Sequence, residues 1–186
     1  PEPPLLFSAK YAICQNDSLL ISIKGDALKY LWTMGETTKN LPYVGKKAGI
    51  ELFKAKITLD GKCWSEWSNP LKILIHPTPE KPQIVTIKNA GFCRGDSTLL
   101  QTTKNAKTWK WSSSETKSFI YSKKPHSYTV TVQDSVDCWS PPSDPVTSFY
   151  FPIEKQPITK AFPSNQFCLG DFITLKTSPA FGYLWN

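Results

Sequence analysis

Period-two alternation of apolar and polar residues runs along most of this chain. Tyr128, Val130 and Val132 fall on one side of an extended segment and Thr129 and Thr131 on the other. Leu71, Ile73 and Ile75 alternate in the same way with Lys72, Leu74 and His76. Such alternation marks half-buried strands, and no apolar stripe of helical period lasts more than a turn. Three segments place an aromatic residue two positions before a tryptophan, so that both rings share one strand face: Tyr30-Leu-Trp32, Trp109-Lys-Trp111 and Tyr183-Leu-Trp185. Turn chemistry separates the strands at Gly25-Asp26, Asp60-Gly61 and Gly95-Asp96. Short strands at this spacing predict an all-β sandwich or barrel. The 16 prolines suit edge strands and connectors and argue against helix.

The same pattern occurs three times. Cys14, Cys93 and Cys168 each follow an aromatic or apolar residue (Ile13, Phe92, Phe167), and each is followed three positions on by an aspartate, Asp17, Asp96 and Asp171. A tryptophan lies downstream in each copy (Trp32, Trp111, Trp185) and a proline upstream (Pro3, Pro82, Pro157). The second half recurs twice: Phe53–Ile57 leads to Cys63-Trp64-Ser65, and Tyr128–Val132 leads to Cys138-Trp139-Ser140. A fixed period points to tandem modules. The expected division is 1–78, 79–153 and an incomplete third copy at 154–186, which belongs to a longer array or is completed by a partner's strands. The junctions His76–Pro82 and Pro152–Pro157 are proline-rich and predict semi-rigid, extended spacers.

Copies of this size lie near the limit at which a core alone stabilises a fold, so a covalent staple is expected. The repeat suggests one disulfide within each complete copy, Cys14 with Cys63 and Cys93 with Cys138, leaving Cys168 as the first member of a third pair. Each would close a loop of roughly 45–50 residues, worth on the order of 4 kcal/mol. Regular disulfides imply an oxidising, extracytosolic compartment. The net charge of +7 is carried by lysines, with Arg94 the only arginine. Their scatter through strands and turns fits solvated sheet faces and excludes a nucleic-acid reader with a clustered basic patch. No run of 18 apolar residues is present.

The layout resembles an immunoglobulin-like (Ig-like) sandwich, with a tryptophan on a central strand and a late strand opening on Tyr or Phe. Antibody-type domains carry their cysteines mid-strand; here the first precedes a Gly-Asp turn and the second closes the late strand, which places the expected bridge near one end. The string Cys-x-Gly-Asp-Ser, then Tyr-x-Trp, Tyr-x-Val-x-Val, Cys-x-Ser and Ser-x-Pro is similar to the Ig-like/PKD-like tandem repeats of Bacteroidota surface proteins. Copy one departs from it at Asn16 and Phe53. That family includes gliding and adhesion proteins exported by type IX secretion. The resemblance implies a cell-surface, non-enzymatic stalk or adhesive segment, part of a longer array, whose partners are proteins of the cell surface or outer membrane, and glycans. It also implies O-glycosylation at Asp-Ser sequences, here at Ser18, Ser97 and Ser135.

Other chemistry is sparse. Arg94-Gly95-Asp96 reads as a turn, because Gly-Asp or Asn-Asp recurs at its position in every copy. His76 and His126 have no ligand-spaced partners, no nucleophile or acid/base signature is present, and no cofactor or metal is expected. Trp64, Trp67 and Trp139 form the candidate interaction surface, with covering of the disulfide or filling of the contact with the next module as the competing role. Two further expectations stay open: an accessory region of a secreted glycan-active enzyme, and a glycan-binding module.

Overall fold

A computed structural model of the chain describes residues 1–152, 156–162, 165–166, 168–180 and 182–185. The chain forms two compact units, Pro1–Tyr150 and Phe151–Asn186. The first opens with β1 (Leu6–Ser8), β2 (Ala12–Cys14), β3 (Ser18–Ile23), β4 (Lys29–Trp32), β5 (Asn40–Val44), β6 (Gly49–Phe53), β7 (Ala55–Thr58) and β8 (Leu71–His76). One antiparallel sheet has the order β1-β3-β5. In the other, β2 lies parallel to β8, β8 antiparallel to β6, and β6 continues across Lys54 alone into β7, which pairs with β4. That is the Ig-like arrangement, with the first strand switching sheets so that β1 and β2 lie on opposite layers.

The same ladders then recur in β9 (Ile84–Thr86), β10 (Gly91–Phe92), β11 (Thr98–Thr102), β12 (Thr108–Trp111), β13 (Phe119–Ser122), β14 (Ser127–Tyr128), β15 (Val130–Gln133), β16 (Val146–Thr147) and β17 (Phe149–Tyr150). β9-β11-β13 repeats the first sheet, and β10 parallel to β17, β14 with β16 and β12 with β15 repeat the second. Each set encloses its own core. Ile13, Ile21, Ile23, Trp32, Leu41, Phe53, Ala55, Ile73 and Ile75 form one; Ala90, Leu100, Trp111, Ile120, Tyr128 and Val130 form the other. The two tryptophans are buried at matching positions. Each satisfies its indole N–H by donating to a carbonyl six residues on, Thr38 and Lys117, at 2.8 Å.

Both copies lie within the single unit Pro1–Tyr150. The expected boundary at 78/79 falls in the segment between β8 and β9; the one at 153/154 lies outside the described residues. In the second unit β18 (Thr159–Phe162) pairs antiparallel with β19 (Thr174–Thr177), and Trp185 is half exposed. The cysteine turn recurs in all three copies. The N–H of Asp17, Asp96 and Asp171 donates to the carbonyl of Cys14, Cys93 and Cys168. The residue before each aspartate takes a left-handed φ (Asn16 72°, Gly95 87°, Gly170 97°), which explains why glycine or asparagine stands there.

The expected disulfides do not form. Cys14 bonds Cys138, across a sequence separation of 124 and at a Cα–Cα distance of 5.6 Å, while Cys63 and Cys93 are free and exposed, as is Cys168. The reason is strand direction. Cys14 ends β2 opposite His76, the last residue of β8, and β3 begins beside it and runs away. Cys63 follows Thr58, which pairs with Lys29 at the far end of the sandwich, the end where Ile23 meets Leu6. The six residues of β3 alone span roughly 20 Å, far beyond disulfide reach. The same separation keeps Cys93 from Cys138. The end of copy one that carries Cys14 also launches the connector to copy two, so Cys14 meets the near end of copy two, where Cys138 lies.

After each late cysteine the chain runs beside the late strand, β7 or β15, without becoming a strand itself. Ser65 and Ser68 substitute their hydroxyls for part of a ladder: Ile57 N–H donates to Ser65 Oγ and Ala55 N–H to Ser68 Oγ, while the serine N–H groups donate back to Ile57 and Ala55 carbonyls. Ser140 with Val132 and Ser143 with Val130 repeat this. All four serines are buried. Ser143→Ala leaves the buried Val130 N–H without its acceptor and is expected to cost about 1–3 kcal/mol, read as a lowered urea midpoint; Thr131→Ala, whose hydroxyl bond at 3.4 Å is exposed, serves as the neutral control.

Candidate interaction surface

Of the three tryptophans singled out from the sequence, two come together. Trp64 and Trp67 both lie over Lys56, whose Nζ is 5.3 Å from one ring centroid and 5.1 Å from the other. Both rings are about two-fifths exposed. Trp64 is held by a bridge to Thr58, and Trp67 stands between the buried Ser65 and Ser68, which turns both rings outward. Trp139 occupies the equivalent of Trp64 in copy two, beside the bonded Cys138. There Thr131 replaces Lys56 and Pro142 replaces Trp67, so the clamped lysine belongs to copy one alone. A lysine held near two half-exposed rings is a cation–π arrangement that presents positive charge beside an aromatic surface. Trp67 also lines a shallow groove with Pro3, Pro4, Leu5, Leu6 and Pro70.

An apolar face on β6 and β8 was not read from the sequence. Ile50 pairs with Leu74 in register, and Ile50, Leu52 and Leu74 are exposed, the first two above half. In copy two the matching positions are Pro125, Ser127 and Phe149. Ile50, Leu52 and Leu74 together place exposed aliphatic side chains side by side on one sheet face. The signal was present in Ile50-Glu51-Leu52 but alternation alone does not say which phase faces water.

The three Asp-Ser serines are all reachable to some degree. Ser18 begins β3 and is exposed, Ser135 lies exposed in the turn before Cys138, and Ser97 is half-buried, its N–H donating to Asp96 Oδ1 at 2.7 Å. Arg94 does not stand free: its guanidinium lies 4.9 Å from the Tyr150 ring centroid, and Tyr150 packs edge-on to Phe92. His126 packs edge-on to Tyr128. Among the described residues no group of three or more His, Cys, Asp or Glu side chains could hold a metal ion, and no helix is long and apolar enough to cross a membrane.

The turn that carries Cys63 is organised by one carboxylate. Asp60 Oδ1 accepts from the N–H of Cys63 at 2.8 Å and of Lys62 at 2.9 Å, and from the Thr58 hydroxyl at 3.0 Å. The Cys63 and Lys62 amides, with the Thr58 hydroxyl, hold its pKa at about 2. A carboxyl depressed in the fold contributes stability above its ordinary value of 3.8 and loses it as pH falls toward about 2. The Cys63 amide resonance is therefore expected to titrate with a midpoint near 2 in the native chain. In Asp60→Asn that titration should be gone; its persistence would contradict the assignment. Asp134 plays the same part for Cys138, accepting from its N–H at 2.9 Å.

No family model matches this chain, and no curated protein matches it. Among solved structures it is similar to the fibronectin(III)-like modules of Clostridium thermocellum CbhA, at 13% identity and a TM-score of 0.41, over 78% of this chain and 94% of that one. It is similar also to murine CEACAM1b, at 10% identity and a TM-score of 0.38 over 80% and 100% of the two chains. The human OSCAR ligand-binding domain matches at 10% identity and a TM-score of 0.34 over 78% and 97%. The strand ladders establish the architecture without these likenesses.

Proposed function

We propose that the chain is a non-enzymatic segment of a cell-surface adhesin, in which consecutive Ig-like modules (1–78, 79–153 and a third from 154) act as a spacer and present protein-contact faces. The observation that carries this reading is the Cys14–Cys138 bond. It joins the exit end of one copy to the entry end of the next, where a bond inside one copy would stabilise that copy alone. A joint closed both by the connector and by a disulfide resists bending and shear, which suits a load-bearing stalk. The disulfide also supports an oxidising, extracellular location, and the resemblance to surface repeats of gliding and adhesion proteins supports export to the cell surface. The partner is a protein of that surface: the Trp64 and Trp67 faces already hold Lys56, which suits an acidic protein group better than a sugar ring.

A spacer must survive repeated load. Pulled from its two ends in an optical trap with a reductant present, so that the segment between Cys14 and Cys138 bears the load, the chain is expected to return to the same extension over successive stretch–relax cycles. Failure to refold after the first pulls would count against a mechanical role.

A further inference from the structure

Cys63 and Cys93 occupy the same two positions as the bonded pair, one copy out of step. Cys93 is the copy-two counterpart of Cys14: it ends the segment after β10, beside the end of β17, as Cys14 ends β2 beside the end of β8. Cys63 is the copy-one counterpart of Cys138 and closes the same kind of hairpin, bridged to the late strand at Thr58–Trp64 as at Gln133–Trp139. The bonded members and their counterparts differ in what covers them. Cys138 is wholly buried and Cys14 half-buried, whereas Cys63 and Cys93 are exposed. The buried and half-buried pair is the one that is bonded between the two copies.

We propose that Cys63 and Cys93 are the two open positions of a disulfide lacing that joins each module to the next. Cys93 bonds the late, Cys138-type cysteine of a further module seated on its end of copy two. Cys63 bonds the early, Cys14-type cysteine of a further module seated on its end of copy one. The occupant is another module of this pattern, because a module of this pattern is what sits on the equivalent end at Cys14 and contributes the equivalent cysteine. The inference rests on reading 1–78 and 79–153 as consecutive modules. Each bond forms by thiol–disulfide exchange: a disulfide oxidant takes two electrons and two protons from the thiol pair and leaves as two thiols, while one S–S bond is made.

The test extends the full chain. A copy of residues 112–152 is joined after Trp185, so that the third module gains a late cysteine, and the product is oxidised in a glutathione buffer, alkylated and mapped without reduction. The lacing predicts that the added cysteine is linked to Cys93, that Cys14–Cys138 is retained, and that Cys168 and Cys63 are alkylated. A link between the added cysteine and Cys168, or an alkylated Cys93, overturns it. Should the extended chain fail to fold, the Cys168→Ser variant of the unextended chain is oxidised at high concentration. Cys63 of one copy joined to Cys93 of another is then the expected intermolecular pair, and symmetric Cys63–Cys63 or Cys93–Cys93 pairs, or none, overturn the proposal. The first arm reads a module in the same polypeptide and the second a module from another copy. A chain that refolds through many pulling cycles while Cys93 stays free keeps the spacer reading and loses the lacing.

Discussion

Replacing Cys14 and Cys138 together by serine is expected to lower the stability of the Pro1–Tyr150 unit by about 5 kcal/mol. The bond closes a loop with a sequence separation of 124, and in the chain-entropy model a loop of that length confines the unfolded ensemble by about that much. The effect exceeds the roughly 4 kcal/mol of a bond inside one copy, because the loop it closes is longer. Two separate cores give it a second signature. With the bond, the copies are held at one joint and should unfold in urea as one transition followed by tryptophan fluorescence. Without it the transition should shift to lower urea and broaden or split, since Trp32 and Trp111 report different cores. A loss below about 1 kcal/mol with an unchanged transition would mean the joint does not couple the copies.

Under force the same bond hides most of the first unit. Load applied at the two ends passes from Cys14 directly to Cys138, so the intervening chain cannot extend until the bond is reduced. Adding a reductant to the stretched protein should release roughly 41–45 nm of contour length, the reach of a segment with sequence separation 124. Two bonds internal to their copies would instead release two increments of roughly 16 nm each, from loops of roughly 45–50 residues. The size and number of the steps therefore separate the two connectivities without chemical mapping.

Much of the fold was legible in the sequence, because alternation and register speak directly to which residues turn inward. Ile21, Ile23, Ile73 and Ile75 are buried as their alternation implies, and Trp32 and Trp111 sit at the same depth in their respective cores. The turn at Cys14, Cys93 and Cys168 was legible because it needs a left-handed residue before the aspartate. The disulfide connectivity was not. Between Trp32 and Asn40 the chain crosses from one sheet to the other with no strand of its own, and it returns to the end from which β4 set out. That return reverses the direction of every later strand relative to a simple up-and-down count, and it carries Cys63 to the end opposite Cys14. The Ser65/Ser68 and Ser140/Ser143 ladders were hidden for another reason: hydroxyls stand in for part of a strand partner, and the segments Ser65–Ser68 and Ser140–Ser143 carry no alternation. In the candidate surface, the exposed tryptophans were legible as extra aromatics beside the late cysteines. The clamp of Trp64 and Trp67 on Lys56 was not, because it depends on which strand faces that segment.

The central claim is that the copies are joined to each other by a disulfide and not stapled individually. Non-reducing peptide mapping of the oxidised, alkylated chain addresses it directly. For dilute protein the account predicts one linked peptide pair containing Cys14 and Cys138, with Cys63, Cys93 and Cys168 recovered as alkylated thiols. Recovery of Cys14 linked to Cys63, together with Cys93 linked to Cys138, would contradict it.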